Sequence, residues 1–363
     1  MVNIPSFRIL RFNYYQKMYQ NQKLHRMRQL ILILLFVILP LQKAISCTTF
    51  VLKNGQELVF GRNLDWVSDN GIIVVNHRNI QKTSLVFPPD TPTIWTSMYG
   101  SISFNQFGKE FPFGGMNEKG LVVEIMRAPA LYPSQDNRSA VNELQWIQYQ
   151  LDNCKNIAEV IQSNKKIRIS KINQNLHFLV CDASGKTAVL EFIDGKMKVY
   201  TGKDLPQPVL ENDPYALSLD KYKNKQECRF TTATDMVKKY PIPDVRESSS
   251  IVDYSFDILE EVALAGSWSI VYDIQNLTIH FKTESNQKVR RFSFNDFDFN
   301  CSKNSLVYDL KRKDSENIKG HFESYSDRIN SRKFQDGLKT NDIQLPREVL
   351  NRFRGYVGTC ECT

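Results

Sequence analysis

The chain has 363 residues, 42% of them hydrophobic, enough to bury one large core or two smaller ones, as a globular protein requires. Its net charge of +8 suggests a polyanionic partner until the charge is located. Residues 1–46 hold seven basic residues (Arg8, Arg11, Lys17, Lys23, Arg26, Arg28, Lys43) and no acid, and from Cys47 onward 40 basic residues face 39 acidic ones, which excludes nucleic acid as a partner.

The leader runs from a long basic stretch into the apolar run LILILLFVILPL, Leu30 to Leu41, and then QKAIS. Twelve residues are short for a bilayer span, and Ala44 and Ser46 stand at minus three and minus one of a cut before Cys47, as a signal peptidase requires. Residues 1–46 are therefore expected to be a removed signal, with Met27 a candidate true start, and the protein to be exported, secreted or periplasmic. All seven cysteines, Cys47, Cys154, Cys181, Cys228, Cys301, Cys360 and Cys362, lie at or after this junction. In an exported protein an odd count leaves one thiol unpaired. If Cys47 is that thiol, the other six can pair, although Cys181 in HFLVCDA also reads as a reduced core residue.

Strand begins at once, with Thr48 to Leu52, an Asn54-Gly55 turn and ELVFGR returning. A two-residue turn at Asn54-Gly55 sets Cys47 opposite Arg62, about 5 Å away, where the guanidinium favours the thiolate. Asp65, just past the paired region, is placed to hold a chain-terminal amine. An ordinary surface Arg and Asp is the plainer reading of such a hairpin, but its coincidence with a cleavage junction argues for chemistry. A cysteine made N-terminal by cleavage carries nucleophile and base in one residue, the thiol attacking a carbonyl while its α-amine, of reference pKa about 7.7–8.0, moves the proton. No distant histidine is then needed, and His25, His77, His177, His280 and His321 form no motif.

Further along, residues 86–113 are rich in aromatics: Phe87, Trp95, Tyr99, Phe104, Phe107, Phe111 and Phe113. Most read as strand residues in a core, with one or two lining a pocket for an apolar acyl group. Helical spacing spans Ser139 to Ser163 and Ser248 to Ala265, while residues 176–202 read as three strands and WSIVYDIQNLTIHFKT as a hairpin about Gln275 and Asn276. Grouped helices and antiparallel strands give an α+β class. After Cys301 the chain becomes charged and poor in aliphatic residues, as a loosely attached extension would be, and its CEC is expected to form a disulfide rather than a metal site.

In order, the segments CTTF, FGRNLDW, YGSISFNQFGKEFPFGGMNEKGLVVE, VLENDPY, CRF and WSIVYD resemble the choloylglycine hydrolase family of linear-amide hydrolases, within the N-terminal-nucleophile superfamily, from Cys47 to about residue 300. The resemblance implies a four-layer α-β-β-α sandwich over residues 47–300, with residues 301–363 an extension. It makes Cys47 the nucleophile, Arg62 and Asp65 the pair beside it, Asn212 the oxyanion donor and Arg229 a second arginine. It implies no metal or organic cofactor, a small-molecule amide substrate with an apolar acyl group, and leaves a homo-oligomer open. Glu211 stands where many relatives have Thr, Asp213 where a neutral residue is common, and EIMRAP where bile salt hydrolases often carry a further Asn. Conjugated bile salts, phenoxyacetyl-type penicillins, N-acyl homoserine lactones and other N-acyl amines all remain as substrates. The rival reading is a lipid-anchored, non-catalytic binding protein acylated at Cys47, since AISC approaches a lipoprotein signal. A flexible tether usually follows such a cysteine, whereas strand begins here at once.

Overall fold

The computed structural model describes residues 47–240, 249–264 and 267–363, so the expected signal, residues 1–46, lies outside the described residues. The Asn-Gly hairpin forms, with β1 at Thr48–Asn54 and β2 at Glu57–Asp65. Its turn is Gly55-Gln56, one residue later than expected. Gly55 takes φ 59°, the left-handed value needed at the first central position of a II′ turn, and Asn54 instead ends the strand and donates to Glu57 at 3.3 Å. Thr49 therefore pairs with Arg62 and Thr48 with Asn63, correcting the expected pairing of Cys47 with Arg62.

β1 and β2 are buried on both faces over most of their length, as strands between two layers must be. They sit inside a seven-stranded sheet with Val209–Leu210 on one side and Ser267–Asp273, Thr278–Thr283, Asn286–Ser293 and Glu316–Asn317 on the other. Helices Arg229–Lys239 and Ile251–Glu261 cover one face of this sheet. A nine-stranded antiparallel sheet lies against the other, and helix Glu143–Asn153 covers its outer face on Pro112–Asn117 and Val122–Arg127. The result is the expected α-β-β-α sandwich. Aromatic rings fill the space between the sheets: Phe104 of the second meets Trp268, Tyr272 and Phe281 of the first at centroid distances of 6.2, 6.3 and 5.8 Å.

The three strands expected over residues 176–202 form at Leu176–Cys181, Thr187–Ile193 and Lys196–Thr201, with Asp194 and Gly195 both at positive φ in a two-residue turn. Asn142 caps the helix Glu143–Asn153 by accepting from the Leu144 and Gln145 N–H groups, so its first expected residues, Ser139–Val141, are instead strand.

Residues 301–363 are not loosely attached. Strand Leu306–Asp309 extends the second sheet beside Ile72–Asn76, Glu361–Cys362 pairs with Ile80–Thr83, and Cys301 is disulfide-bonded to Cys362. Helix Asp327–Thr340 is fixed by polar groups. Asn330 accepts from the Lys109 N–H at 2.8 Å, and Lys333 donates to Asn70 at 2.9 Å and Asp309 at 2.7 Å. Gly337 lies so close that a Cβ there would meet the Gln106 carbonyl at 2.7 Å. The other five cysteines are free thiols, so the six-cysteine pairing that a free Cys47 would allow does not form, and Cys181 is the reduced core residue that its segment suggested.

The 61-residue separation bridged by Cys301–Cys362 sets the scale of its effect. Cys362→Ser is expected to lower stability by roughly 4 kcal/mol, the chain-entropy value for a loop of that size, in urea unfolding followed by tryptophan fluorescence. An unchanged midpoint would show that the tail is held by its packing alone.

Candidate active site

Cys47 directly precedes β1 and is 2% exposed. Its main-chain N–H donates to Asn212 Oδ1 at 2.6 Å, and Asn212 Nδ2 donates to the Arg127 carbonyl at 2.7 Å. Asn212 thus ties the start of β1 to the end of strand Val122–Arg127. The shifted register leaves Cys47 two residues from Thr49, the partner of Arg62, so Cys47 and Arg62 keep the same face as diagonal neighbours.

Arg62 is wholly buried and ion-paired with Glu124, itself wholly buried. Its Nη1 donates to the Phe113 carbonyl at 3.2 Å and its Nη2 to that of Ile125 at 3.3 Å. Tyr272 donates its hydroxyl to the other Glu124 oxygen. Gly114 makes room for this carboxylate, since a Cβ there would overlap it. Burial raises the Glu124 pKa, while the Arg62 charge and the Tyr272 hydroxyl oppose that rise.

Arg229, the first residue of its helix, reaches two carboxylates, Asp65 Oδ2 at 3.4 Å and Glu211 Oε2 at 3.6 Å. Asp65 also accepts from the Leu264 N–H at 3.1 Å. Glu211, at the position where Thr was expected from the resemblance, is buried and accepts from Ser218 at 3.4 Å. Burial pushes Asp65 up to about 7, against the Leu264 N–H and the Arg229 and Arg62 charges. It pushes the Cys47 thiol up to about 11, with Arg62 the largest lowering influence and Asp65 a raising one, while the Asp65 N–H also lowers it. The expected net depression by Arg62 is thus corrected: the guanidinium acts in the expected direction, but burial outweighs it.

All five expected site residues, Cys47, Arg62, Asp65, Asn212 and Arg229, belong to this one cluster. Glu124, which fixes Arg62, and Tyr272, which fixes Glu124, escaped the sequence reading although both lie inside quoted segments. What marks them is a cross-sheet contact, which no local pattern records. The Cys47 side of the cluster opens on a cavity of about 460 Å³ walled by Trp66, Phe107, Phe113, Ile125 and Met126 and closed by residues 340–343. Phe107 and Phe113 are thus the aromatics of the 86–113 stretch that line the cavity at Cys47. Beyond Asn212 lies a second, polar cavity of about 340 Å³, walled by Arg127, Asn173, Gln174 and Asn175.

Cys47 thus stands at the head of an inner strand of an α-β-β-α sandwich, on the wall of the apolar chamber, with Asn212 between it and the polar cavity. The model of the linear amide C-N hydrolases, choloylglycine hydrolase family, matches residues 47–239, and the chain belongs to that family. The penicillin V acylase of Pectobacterium atrosepticum is 26% identical over 352 residues, covering 81% of this chain and 89% of that protein. The fold is shared with the penicillin V acylase of Agrobacterium tumefaciens, with a TM-score of 0.65 and 19% identity over 77% of this chain and 98% of that one. A conjugated bile acid hydrolase of Clostridium perfringens superposes with a TM-score of 0.62 and 17% identity, over 74% and 98% of the two chains.

Removing Glu124 strands a buried guanidinium, so Glu124→Leu is expected to destabilise the protein by about 3–5 kcal/mol in chemical denaturation. For Asp65 the sign follows from a folded pKa raised above the ordinary carboxylate value. Its proton-linked stability is complete below about pH 4 and is lost as pH rises through about 7. The melting temperature should fall between pH 5 and 8, and Asp65→Asn should remove that part of the decline. An identical slope in the variant would contradict the assignment.

Proposed function

We propose that this linear-amide hydrolase works through Cys47 as an N-terminal nucleophile, released when residues 1–46 are removed during export. Carrying the reading is the position of Cys47, its main-chain nitrogen held by Asn212 and its side chain at the wall of an apolar cavity. In the uncut chain that nitrogen is an amide and accepts no proton. Once cut, it is an α-amine that takes the thiol proton as the sulfur attacks the substrate carbonyl carbon. Asn212 Nδ2 has two hydrogens, one of which is given to Arg127; the other, with a main-chain N–H, would hold the oxyanion, worth roughly 3 kcal/mol per donor. The amine then passes the proton to the leaving nitrogen, the C–N bond breaks and a thioester remains. Water, giving a proton to the same amine, attacks the thioester, the C–S bond breaks and the free acid leaves. Arg62 and Arg229 favour the thiolate, and Asp65 holds Arg229 and orients the terminal amine.

The apolar chamber suits the acyl group, and the polar opening lined by Arg127 and four amide side chains suits the amine part. Bile salts, phenoxyacetyl penicillins and N-acyl homoserine lactones all divide in this way. Against the lipid-anchored alternative stand the burial of Cys47 and the strand that begins at the next residue, which leave no flexible tether between a lipid and the fold.

Intact mass and N-terminal sequencing of the exported protein should give an unmodified Cys47 at the terminus. Cys47→Ser should keep the fold and lose nearly all amide turnover, and full activity in that variant would end the proposal. Burial pushes the Cys47 thiol up to about 11 in the uncut chain, so it is protonated at neutral pH. A neighbouring ammonium lowers that pKa, so iodoacetamide should label Cys47 in the processed protein at a markedly lower pH than in the uncut one.

A further inference from the structure

The closing wall of the apolar cavity, Thr340 to Ile343, lies outside the family-matched residues 47–239. Its placement is local and well defined. Helix Asp327–Thr340 ends in a Schellman arrangement: Asp342 takes φ 49°, its N–H donates to the Lys339 carbonyl at 3.3 Å, and the Ile343 N–H donates to that of Leu338 at 2.9 Å. Asn341, the capping residue, accepts from the Trp66 indole and donates to the Gly337 carbonyl at 2.6 Å. The turn is thereby fastened to the residue that follows β2, and the motif fixes where Ile343 stands.

Behind Ile343 is a second, smaller apolar cavity of about 60 Å³, walled by Phe111, Phe334, Leu338, Leu345 and Phe353. Phe107, Glu143, Leu144, Asn173 and Ile343 line both cavities, and of these five Ile343 alone comes from the C-terminal segment. The two spaces are therefore neighbours that share part of their lining, and Phe334, Leu338 and Phe353 of the C-terminal helices line the second.

We propose that the C-terminal segment sets the length of acyl chain this enzyme accepts, with Ile343 as the partition that ends the acyl chamber. The inference rests on the amidase reading above for the identity of the occupant. Cys47 and Ile343 line the same cavity, so a straight acyl chain held at Cys47 would extend through the space that Ile343 bounds. Truncating Ile343 to alanine removes three carbons and joins the chamber to the space behind, admitting about three further methylenes. Each methylene buried instead of excluded raises kcat/KM about fourfold.

The test uses the processed full-length protein and two readouts: hydrolysis of N-acyl amides of one amine with straight chains of increasing length, and displacement of a fluorescent fatty acid by the corresponding free acids. Ile343→Ala should move both length profiles toward longer chains, with a gain of tenfold or more for the first chain that the parent excludes. Ile343→Phe, which fills rather than empties the site, should move both toward shorter chains, and it serves if the alanine variant does not fold. Loss of a merely structural residue lowers all lengths together and does not shift a profile in opposite directions. Hydrolysis by the parent with the same profile in both variants overturns the partition and leaves the amidase reading standing. Shifted fatty-acid binding without hydrolysis of any amide supports the partition and overturns the amidase reading. Absence of both hydrolysis and binding overturns the partition, while turnover of a bile salt or phenoxyacetyl amide by the same protein leaves the amidase reading standing.

Discussion

The buried pair of Arg62 and Glu124 is the constraint on which the site depends. Arg62 comes from the first sheet and Glu124 from the second, so their contact fixes how the two layers register across an otherwise apolar interface. Two charges in such a place destabilise the fold unless their hydrogen-bonding capacity is met, and much of it is: by the Phe113 and Ile125 carbonyls, by the Tyr272 hydroxyl and by the space that Gly114 leaves. Phe113 and Ile125, whose carbonyls hold the guanidinium, also contribute to the wall of the apolar chamber. The ion pair thus positions both the charge beside Cys47 and the surface that an acyl group would meet.

Around Cys47 two opposing effects are close in space. Burial favours a neutral thiol and a protonated Asp65, while Arg62 and Arg229 favour the ionised form of each. In the uncut chain burial wins at both groups. One added positive charge at the Cys47 nitrogen shifts both in the same direction. On the proposed reading, cleavage of the one peptide bond before Cys47 would tip this balance toward the ionised forms.

Much of the first half of the architecture was legible. The Asn-Gly hairpin, the strands over 176–202 and the helix capped by Asn142 carry their signals in turn residues and periodicity. The register of the hairpin was less so, because Gly55 serves equally as the second residue of one turn type or the first of another, and the choice moves every partner by two. The helix Asp327–Thr340 was illegible for a different reason. Its buried face is Asn330, Lys333, Phe334 and Gly337, so the groups that anchor it read as a solvated surface. Helical spacing was present, but in residues that hold through hydrogen bonds and close backbone approach rather than through apolar area. Of the site, Cys47, Arg62 and Asp65 were accessible from the cleavage junction and the hairpin. Asn212 and Arg229 came from the family resemblance alone, and Glu124 depends on a partner 62 residues earlier in the chain.

The bond between Trp66 and Asn341 spans 275 residues of sequence. At ribosomal rates of about 5–20 residues per second, the partner of Trp66 is synthesised on the order of 14–55 s after it. Throughout that interval residues 340–343 are missing from the lining of the chamber. Assembly of the cavity is therefore a late, long-range event in the life of each molecule, and a chain cut short by even a few tens of residues would retain every group proposed for bond cleavage while lacking the boundary of the space in which they act.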